Sequence, residues 1–292
     1  MPTFASPTPI SITVDVLGNT HVAASDRADT VVTVAPMDPS RSSDVKAAEQ
    51  TAVECTDGRL TVRSPRSRSP FSKSHAVVVT LEVPSGSALD STSPMGDLHA
   101  EGELGTTTVK TSMGSIRLDV TGELRAKTSF GDVTVDEVAG NAEVTTSSGD
   151  IRLGAVGGTA VVKNSNGTIR LDRVAGDAGV TSSNGDVLIG HAGAGVTART
   201  ACGDVRVGEV GQGEVVVETS TGELEVGIVP GVAAWLDVST RFGSVRNRLD
   251  GADGPDPSEG TVAVRARSSF GDIVIRRAPA GASATAERGD RP

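Results

Sequence analysis

Apolar and polar residues alternate along most of this chain in short runs that restart after a glycine. The glycines stand at Gly96, Gly114, Gly131, Gly149, Gly167, Gly185, Gly203, Gly222, Gly243 and Gly271, at intervals of 18, 17, 18, 18, 18, 18, 19, 21 and 28 residues. After Gly149, Ile151 and Leu153 alternate with Asp150 and Arg152, the period-two signature of a strand with one buried face. The same inward pair recurs as Ile116/Leu118, Val133/Val135, Ile169/Leu171, Val187/Ile189, Val205/Val207, Leu224/Val226 and Ile273/Ile275. A lone apolar residue (Val138, Val156, Val174) follows, then a turn with Gly140, Gly158 or Gly176. A second alternation comes next, with smaller side chains: Ala142/Val144, Ala160/Val162, Ala178/Val180. One such unit cannot bury its apolar face alone, so the pattern predicts stacked copies around a thin aliphatic core.

Stacking turns each residue type into a column. Rungs of a parallel coil sit ~4.8 Å apart, so about nine of them make a rod of roughly 43 Å. Thr111, Thr128, Thr146, Asn164, Ser182, Thr200, Thr219, Thr240 and Ser268, each three residues before a glycine, form a polar column able to hydrogen-bond from rung to rung. A meander of antiparallel hairpins would also alternate, but it has no reason to repeat one residue type at one place in every unit. A triangular coil of three hexapeptides also has an 18-residue turn; here the inward positions do not fall every six residues.

The first 86 residues follow a different pattern. Ile10–Val16, His21–Ala23 and Thr30–Val34 read as a hairpin, turning at Gly18-Asn19, plus a third strand. Asp44–Glu54 suits either a short helix or a strand, and Gly58–Val62 with Ala76–Val83 complete the region. Ser64–Ser74 is basic and low in complexity, as expected of a solvated hairpin tip. The expected architecture is all-β: an N-terminal cap of small antiparallel sheet (1–86), a β-solenoid resembling a single-stranded β-helix with 18-residue rungs (87–278), and a disordered tail (279–292). Arg265, Arg267, Arg276 and Arg277 crowd the last repeat, where they would discourage end-to-end stacking. The expected state is therefore a monomer or weak homo-oligomer.

Composition narrows the function. Aromatic residues make up 2% of the chain, which removes most of the stacking surface that sugars, bases and flat cofactors use. A net charge of −10 argues against nucleic acid, whose binding rests on cationic neutralisation of phosphates. No apolar run reaches the ~18 residues of a membrane span. Residues 1–20 lack the basic start and apolar run of a secretory signal, so a cytoplasmic location is expected, with envelope association through a partner left open. Cys55 and Cys202, far apart in sequence, are expected as free thiols.

These features resemble the DUF4097 putative-adhesin family of β-strand repeat proteins. The resemblance is carried by the entry Pro9–Val16, the link Val83-Pro84-Ser85-Gly86, the rung Val161–Gly167, the segment Gly231–Asp237 and the close Ser268–Ile273, together with the repeated Ser-x-Gly-Asp turns. It covers nearly the whole chain and is nearest to actinobacterial members without an export signal. It implies a structural repeat, and it brings no catalytic residues.

Two columns carry candidate chemistry. Asp132, Asp150, Asp186 and Asp204 follow the turn glycines directly, with Asp97 and Asp272 at the ends; Arg117, Arg152, Arg170 and Arg206 stand two residues further on. Stacked carboxylates ~5 Å apart repel by about 1 kcal/mol per pair even in water, so something must compensate. An ion-pair lattice with the arginines, or capping of the turn by aspartate, accounts for the column without a metal. Met95, Met113 and Phe130 precede their glycines and form either a patch for protein contact or caps folded over the end rungs. The four histidines show no metal-ligand spacing, and no nucleophile, phosphate-loop or dinucleotide motif is present, so no catalytic residue, cofactor or metal is expected. The chain reads as a non-enzymatic scaffold that presents Asp/Arg-striped faces to a protein partner. The alternative is a carbohydrate-active or carbohydrate-binding coil using paired carboxylates.

Overall fold

The computed structural model describes residues 2–65, 75–249 and 261–279. Most of the low-complexity stretch within Ser64–Ser74, the segment containing Pro255 and Pro257, and the residues from 280, expected as a disordered tail, lie outside them. The chain opens with β1 (Thr3–Ala5), β2 (Ser11–Asp15), β3 (Gly18–Ser25), β4 (Asp29–Pro36), helix α1 (Ser42–Gln50), β5 (Ala52–Thr56), β6 (Arg59–Arg63) and β7 (Val77–Pro84). Segment 44–54, which suited helix or strand, is divided between both: α1 ends at Gln50 and β5 begins at Ala52.

Each later rung supplies two strands. These are β8 (Ala88–Met95) and β9 (Leu98–Leu104), β10 (Thr107–Met113) and β11 (Ile116–Thr121), β12 (Leu124–Lys127) and β13 (Val133–Val138), β14 (Ala142–Thr145) and β15 (Ile151–Val156), and β16 (Ala160–Lys163) and β17 (Ile169–Val174). There follow β18 (Ala178–Thr181) and β19 (Val187–Ala192), β20 (Val196–Cys202) and β21 (Val205–Val210), β22 (Gly213–Thr221) and β23 (Leu224–Ile228), β24 (Ala233–Phe242) and β25 (Val245–Arg248), and β26 (Thr261–Phe270) and β27 (Ile273–Arg277). The first strand of each rung joins a 13-stranded sheet and the second a 14-stranded sheet.

From β8 to β23 like lies over like. Ile151 pairs with Ile169, Leu153 with Leu171 and Val156 with Val174 in the larger sheet, and Ala142, Ala160 and Ala178 stack in the smaller. Their side chains meet between the sheets as one continuous, almost fully buried seam. Bulky branched residues on one wall and alanine with valine on the other keep that seam thin.

At both ends space and sequence part company. The region before residue 87 does not form a separate small sheet, because β2 and β3 are a rung of the same coil, paired in parallel with β8 and β9. They are not a hairpin: they lie in different sheets, joined at Gly18 by the same turn that joins later rungs. Outside them lies a rung made of β6 and β7. Antiparallel pairing is confined to β1, β4 and β5, which with α1 close that end. At the other end β26 and β27 slide between the β22–β23 rung and the β24–β25 rung, so the outermost rung is not the last in sequence.

Candidate functional site

The edge where the chain passes from the smaller sheet to the larger is built on the glycine column. Gly149, Gly167 and Gly185 have φ of +139°, +127° and +126°, a region that L side chains rarely enter. A Cβ on Gly114, Gly131, Gly149, Gly167, Gly185 or Gly203 would lie 2.0–2.2 Å from the carbonyl oxygen of the glycine one rung below. Both geometry and space therefore require glycine. Gly18 is a further member, with φ +130°, hidden from the periodicity because its rung lies 78 residues before its neighbour Gly96.

The Asp column follows from the same stacking. Asp132 Oδ1 accepts the Asp150 backbone N–H at 2.8 Å, Asp150 Oδ1 accepts that of Thr168 at 2.7 Å, Asp186 Oδ1 that of Asp204 at 2.9 Å, and Asp204 Oδ1 that of Glu223 at 2.8 Å. Each carboxylate thus caps the next rung's turn. Hydrogen bonds to a charged acceptor contribute about 1.5–3 kcal/mol, more than the ~1 kcal/mol of like-charge repulsion between neighbours. Asn19 takes the same place one rung earlier, accepting from the Asp97 N–H at 3.0 Å. On the opposite edge Asn141 and Asp177 cap Thr159 and Gly195 at 2.9 Å, a second column whose members stand 18 residues apart in the sequence.

The polar column three residues before the glycines hydrogen-bonds to glycine carbonyls of the neighbouring rung. Thr128 Oγ1 donates to Gly114 O at 3.1 Å, Asn164 Nδ2 to Gly149 O at 3.0 Å and Thr219 Oγ1 to Gly203 O at 3.1 Å. Ser182 Oγ, buried in the same column, has no partner.

Arg117, Arg152, Arg170 and Arg206 project outward from the larger sheet, with Arg152 and Arg170 paired in register. Those two converge on Asp172, at 3.4 Å and 2.6 Å. Arg206 reaches Asp204 at 3.4 Å and Glu225 at 4.0 Å, whereas Arg117 has no ionic partner among the described residues. The Asp and Arg columns meet at Asp204–Arg206, and again at the coil's end, where Asp272 lies 3.0 Å from Arg246. Asp272 also accepts the Ser244 N–H, and that bond, with a lesser part from Arg246, holds its carboxyl below the usual aspartate range.

Met95, Met113 and Phe130 stand side by side on three successive rungs of the turn edge, 49–61% exposed, and are not folded over an end. Ser148, Asn166, Asn184 and Cys202 continue their line. Both cysteines are free thiols. No group of three or more metal-ligating side chains occurs among the described residues, and no described helix is long and apolar enough to cross a membrane.

The two broad faces differ in charge. Between β10 and β20 the smaller sheet turns Lys110, Arg125, Lys127, Lys163 and Arg199 outward against Glu143 alone, a net of +4. On the same rungs the larger sheet sets five arginines (117, 152, 170, 173 and 206) against five carboxylates (119, 136, 137, 172 and 209). Lys110, Lys127 and Lys163 lie in one row, with Thr145 between the last two, and have no ionic partner among the described residues. The row has a sequence signal that the Asp and Arg columns overshadowed: Lys110, Lys127 and Lys163 each stand four residues before a turn glycine, Gly114, Gly131 and Gly167.

The family model for Toastrack DUF4097 matches residues 9–246. No curated protein matches the chain. Among solved structures, a putative adhesin from Parabacteroides merdae shares 12% identity, with 94% of each chain covered and a TM-score of 0.37. A putative lipid binding protein from Parabacteroides distasonis shares 11%, with 93% of this chain and 95% of that one covered and a TM-score of 0.38. A putative adhesin from Bacteroides fragilis shares 11%, with 94% and 95% covered and a TM-score of 0.32. With the family model spanning well over half of its length, the chain belongs to the Toastrack DUF4097 family.

Proposed function

We propose that this protein is a non-enzymatic binding scaffold that lays a broad, flat, charged face against a partner protein. The observation that carries the reading is the contrast between faces: an overall charge of −10, yet a net of +4 on the outward side of β10–β20. A row of unpaired lysines at multiples of ~4.8 Å favours a partner with an acidic surface, and complementary fields raise on-rate and select against wrong partners. Arg117, Arg152, Arg170 and Arg206 on the other face are the second contact candidate. Asp132, Asp150, Asp186 and Asp204 line the edge between the faces, where their bonds to backbone give them a structural task as well. Met95, Met113 and Phe130 add an apolar strip on the same edge.

The test is crosslinking in the native cell followed by recovery of the tagged protein. Lys110→Glu/Lys127→Glu/Lys163→Glu is expected to lose the partner that the wild type retains, with an unchanged far-UV circular dichroism spectrum. Equal recovery by the triple variant and by Arg152→Glu/Arg170→Glu would reject both faces.

A further inference from the structure

We infer that the open end of the coil, formed by β24 and β25, is a docking surface for a second copy of this chain. Among the described residues β24 pairs only with β26, and β25 only with β27, so each has an edge that no described strand pairs with. Ala234, Leu236 and Val238 are half-buried, whereas their register partners Val262, Val264 and Ala266 one rung inward are fully buried. Trp235, Phe242, Val245 and Phe270 stand 47–59% exposed on these last two rungs, with Phe242 and Phe270 stacked at 4.8 Å. No described residue covers the seam, the edges or the apolar side chains here.

The arginines expected to block stacking do not lie on the outermost rung. Arg265, Arg267, Arg276 and Arg277 belong to the rung inside the end. Arg265 and Arg267 bind Asp237, Arg265 also binds Glu214, Arg276 binds Glu225, and Arg277 donates to the Val229 and Val232 carbonyls. The neighbouring segment 250–260 is a poor cover for an aliphatic seam: it carries three aspartates and a glutamate, with glycines, prolines and one alanine.

A second copy fits on three grounds. At the other end α1 packs against β4 and β7 and the edge strands β1 and β5 are short, so the uncovered ends are the better match for each other, a two-fold arrangement that stops at a dimer. Two identical edge strands related by a two-fold axis run antiparallel, and their faces match when opposed residues lie on the same side of the strand. The register centred on Ser239 meets that condition. It sets Asp237 against Arg241 of the second copy, and Arg241 has no ionic partner among the described residues. The axis lies normal to the sheets, so the two +4 faces fall on one side of the dimer.

The contact is small. Ten residues at ~3.3 Å and sheets ~10 Å apart give an end of about 330 Å², or about 700 Å² over both copies. Stable interfaces bury about 1,200 Å² or more, so the dimer dissociates on dilution.

Trp235 is the only tryptophan of the chain, so its fluorescence reports on this end. In sedimentation equilibrium of the full chain, mass is expected to rise from 29.6 kDa toward twice that between low micromolar and near-millimolar concentration, with a parallel blue shift of Trp235. Arg241→Glu should raise the dissociation constant at least tenfold. In a Cys55→Ser/Cys202→Ser background, Ser239→Cys should give an interchain disulfide under mild oxidation, whereas Thr181→Cys, exposed in mid-coil on the same face, should not. A constant monomer mass would overturn the proposal. So would a blue-shifted, quencher-protected Trp235 at every concentration, which would mean that the chain's own flanking segments cover the end, and so would a dimer indifferent to both substitutions.

Discussion

Gly167→Ala isolates the feature on which the stack depends. At φ +127° the alanine sits in backbone territory reserved for glycine, a strain of about 1–3 kcal/mol. Its Cβ would also stand 2.2 Å from the Gly149 carbonyl oxygen and 2.7 Å from the carbonyl carbon, so the two rungs must separate, and overpacking of this kind costs about 1–3 kcal/mol more. Together that is about 4 kcal/mol, a large share of the 5–15 kcal/mol that holds a typical domain folded. Gly179 is the internal control. It lies mid-strand on the outward face, where an added Cβ meets only the Ala160 carbonyl oxygen at 3.8 Å, so Gly179→Ala should gain about 0.5–1 kcal/mol. Urea unfolding followed by circular dichroism would compare the pair. Because each rung touches only its neighbours, hydrogen exchange should show the damage from Gly167→Ala at Ile169 and Ile151 and leave β8 and β9 protected. If the two alanine variants unfold at the same urea concentration, stacking does not demand glycine and the column has another cause.

Three further outcomes follow from the columns. Ser182→Asn should stabilise the coil by about 1 kcal/mol, because Asn164 in the same column reaches a glycine carbonyl that the serine cannot; urea midpoints at constant m-value check it. Asp150→Asn should be nearly neutral, keeping an acceptor for the Thr168 N–H while relieving repulsion from Asp132, whereas Asp150→Ala loses the cap and about 1–2 kcal/mol by the same assay. In acid the outermost rung should loosen first at Ser244. The folded-state pKa of Asp272 is depressed, chiefly by that N–H, so its contribution is present above the unfolded value near ~3.9 and disappears as pH falls through the folded one; hydrogen exchange at Ser244 against pH would show it.

The repeating middle of the fold was legible because its information is local. A glycine, an acceptor and two branched residues at fixed offsets define a rung, and the registers of Ile151 with Ile169 and of Val162 with Val180 follow from superposing one repeat on the next. The ends were not legible, because their neighbours are remote in sequence. Nothing near Gly18 indicates that its turn must lie over Gly96, and nothing near Arg265 indicates that Asp237 will receive it. The offset from the glycines aligns the aspartates in one column, yet their partner is the backbone one rung on, a contact that exists only in three dimensions. The lysine row, by contrast, is legible in the sequence, four residues before Gly114, Gly131 and Gly167; what only the fold adds is that it faces outward without an ionic partner among the described residues.

Rung order also bears on how the coil is completed. β24 and β25 are made before β26 and β27, yet their only sheet partners among the described residues are those later strands, so the end rung cannot pair correctly until the chain has passed residue 277. Until then β22 and β23 lack their outer neighbour, and β24 could occupy that place, since Leu236 and Val238 would serve there much as Val264 and Ala266 do. Several contacts select the native order. Asp237 is bound by both Arg265 and Arg267, Arg265 also reaches back to Glu214 on β22, and Arg276 pairs with Glu225 on β23. Only with β26 and β27 between the two older rungs are the arginines within reach of carboxylates on both sides. The charges that seemed placed to repel a neighbour thus decide which rung lies inside, and the rung they displace outward is the one left with an open edge.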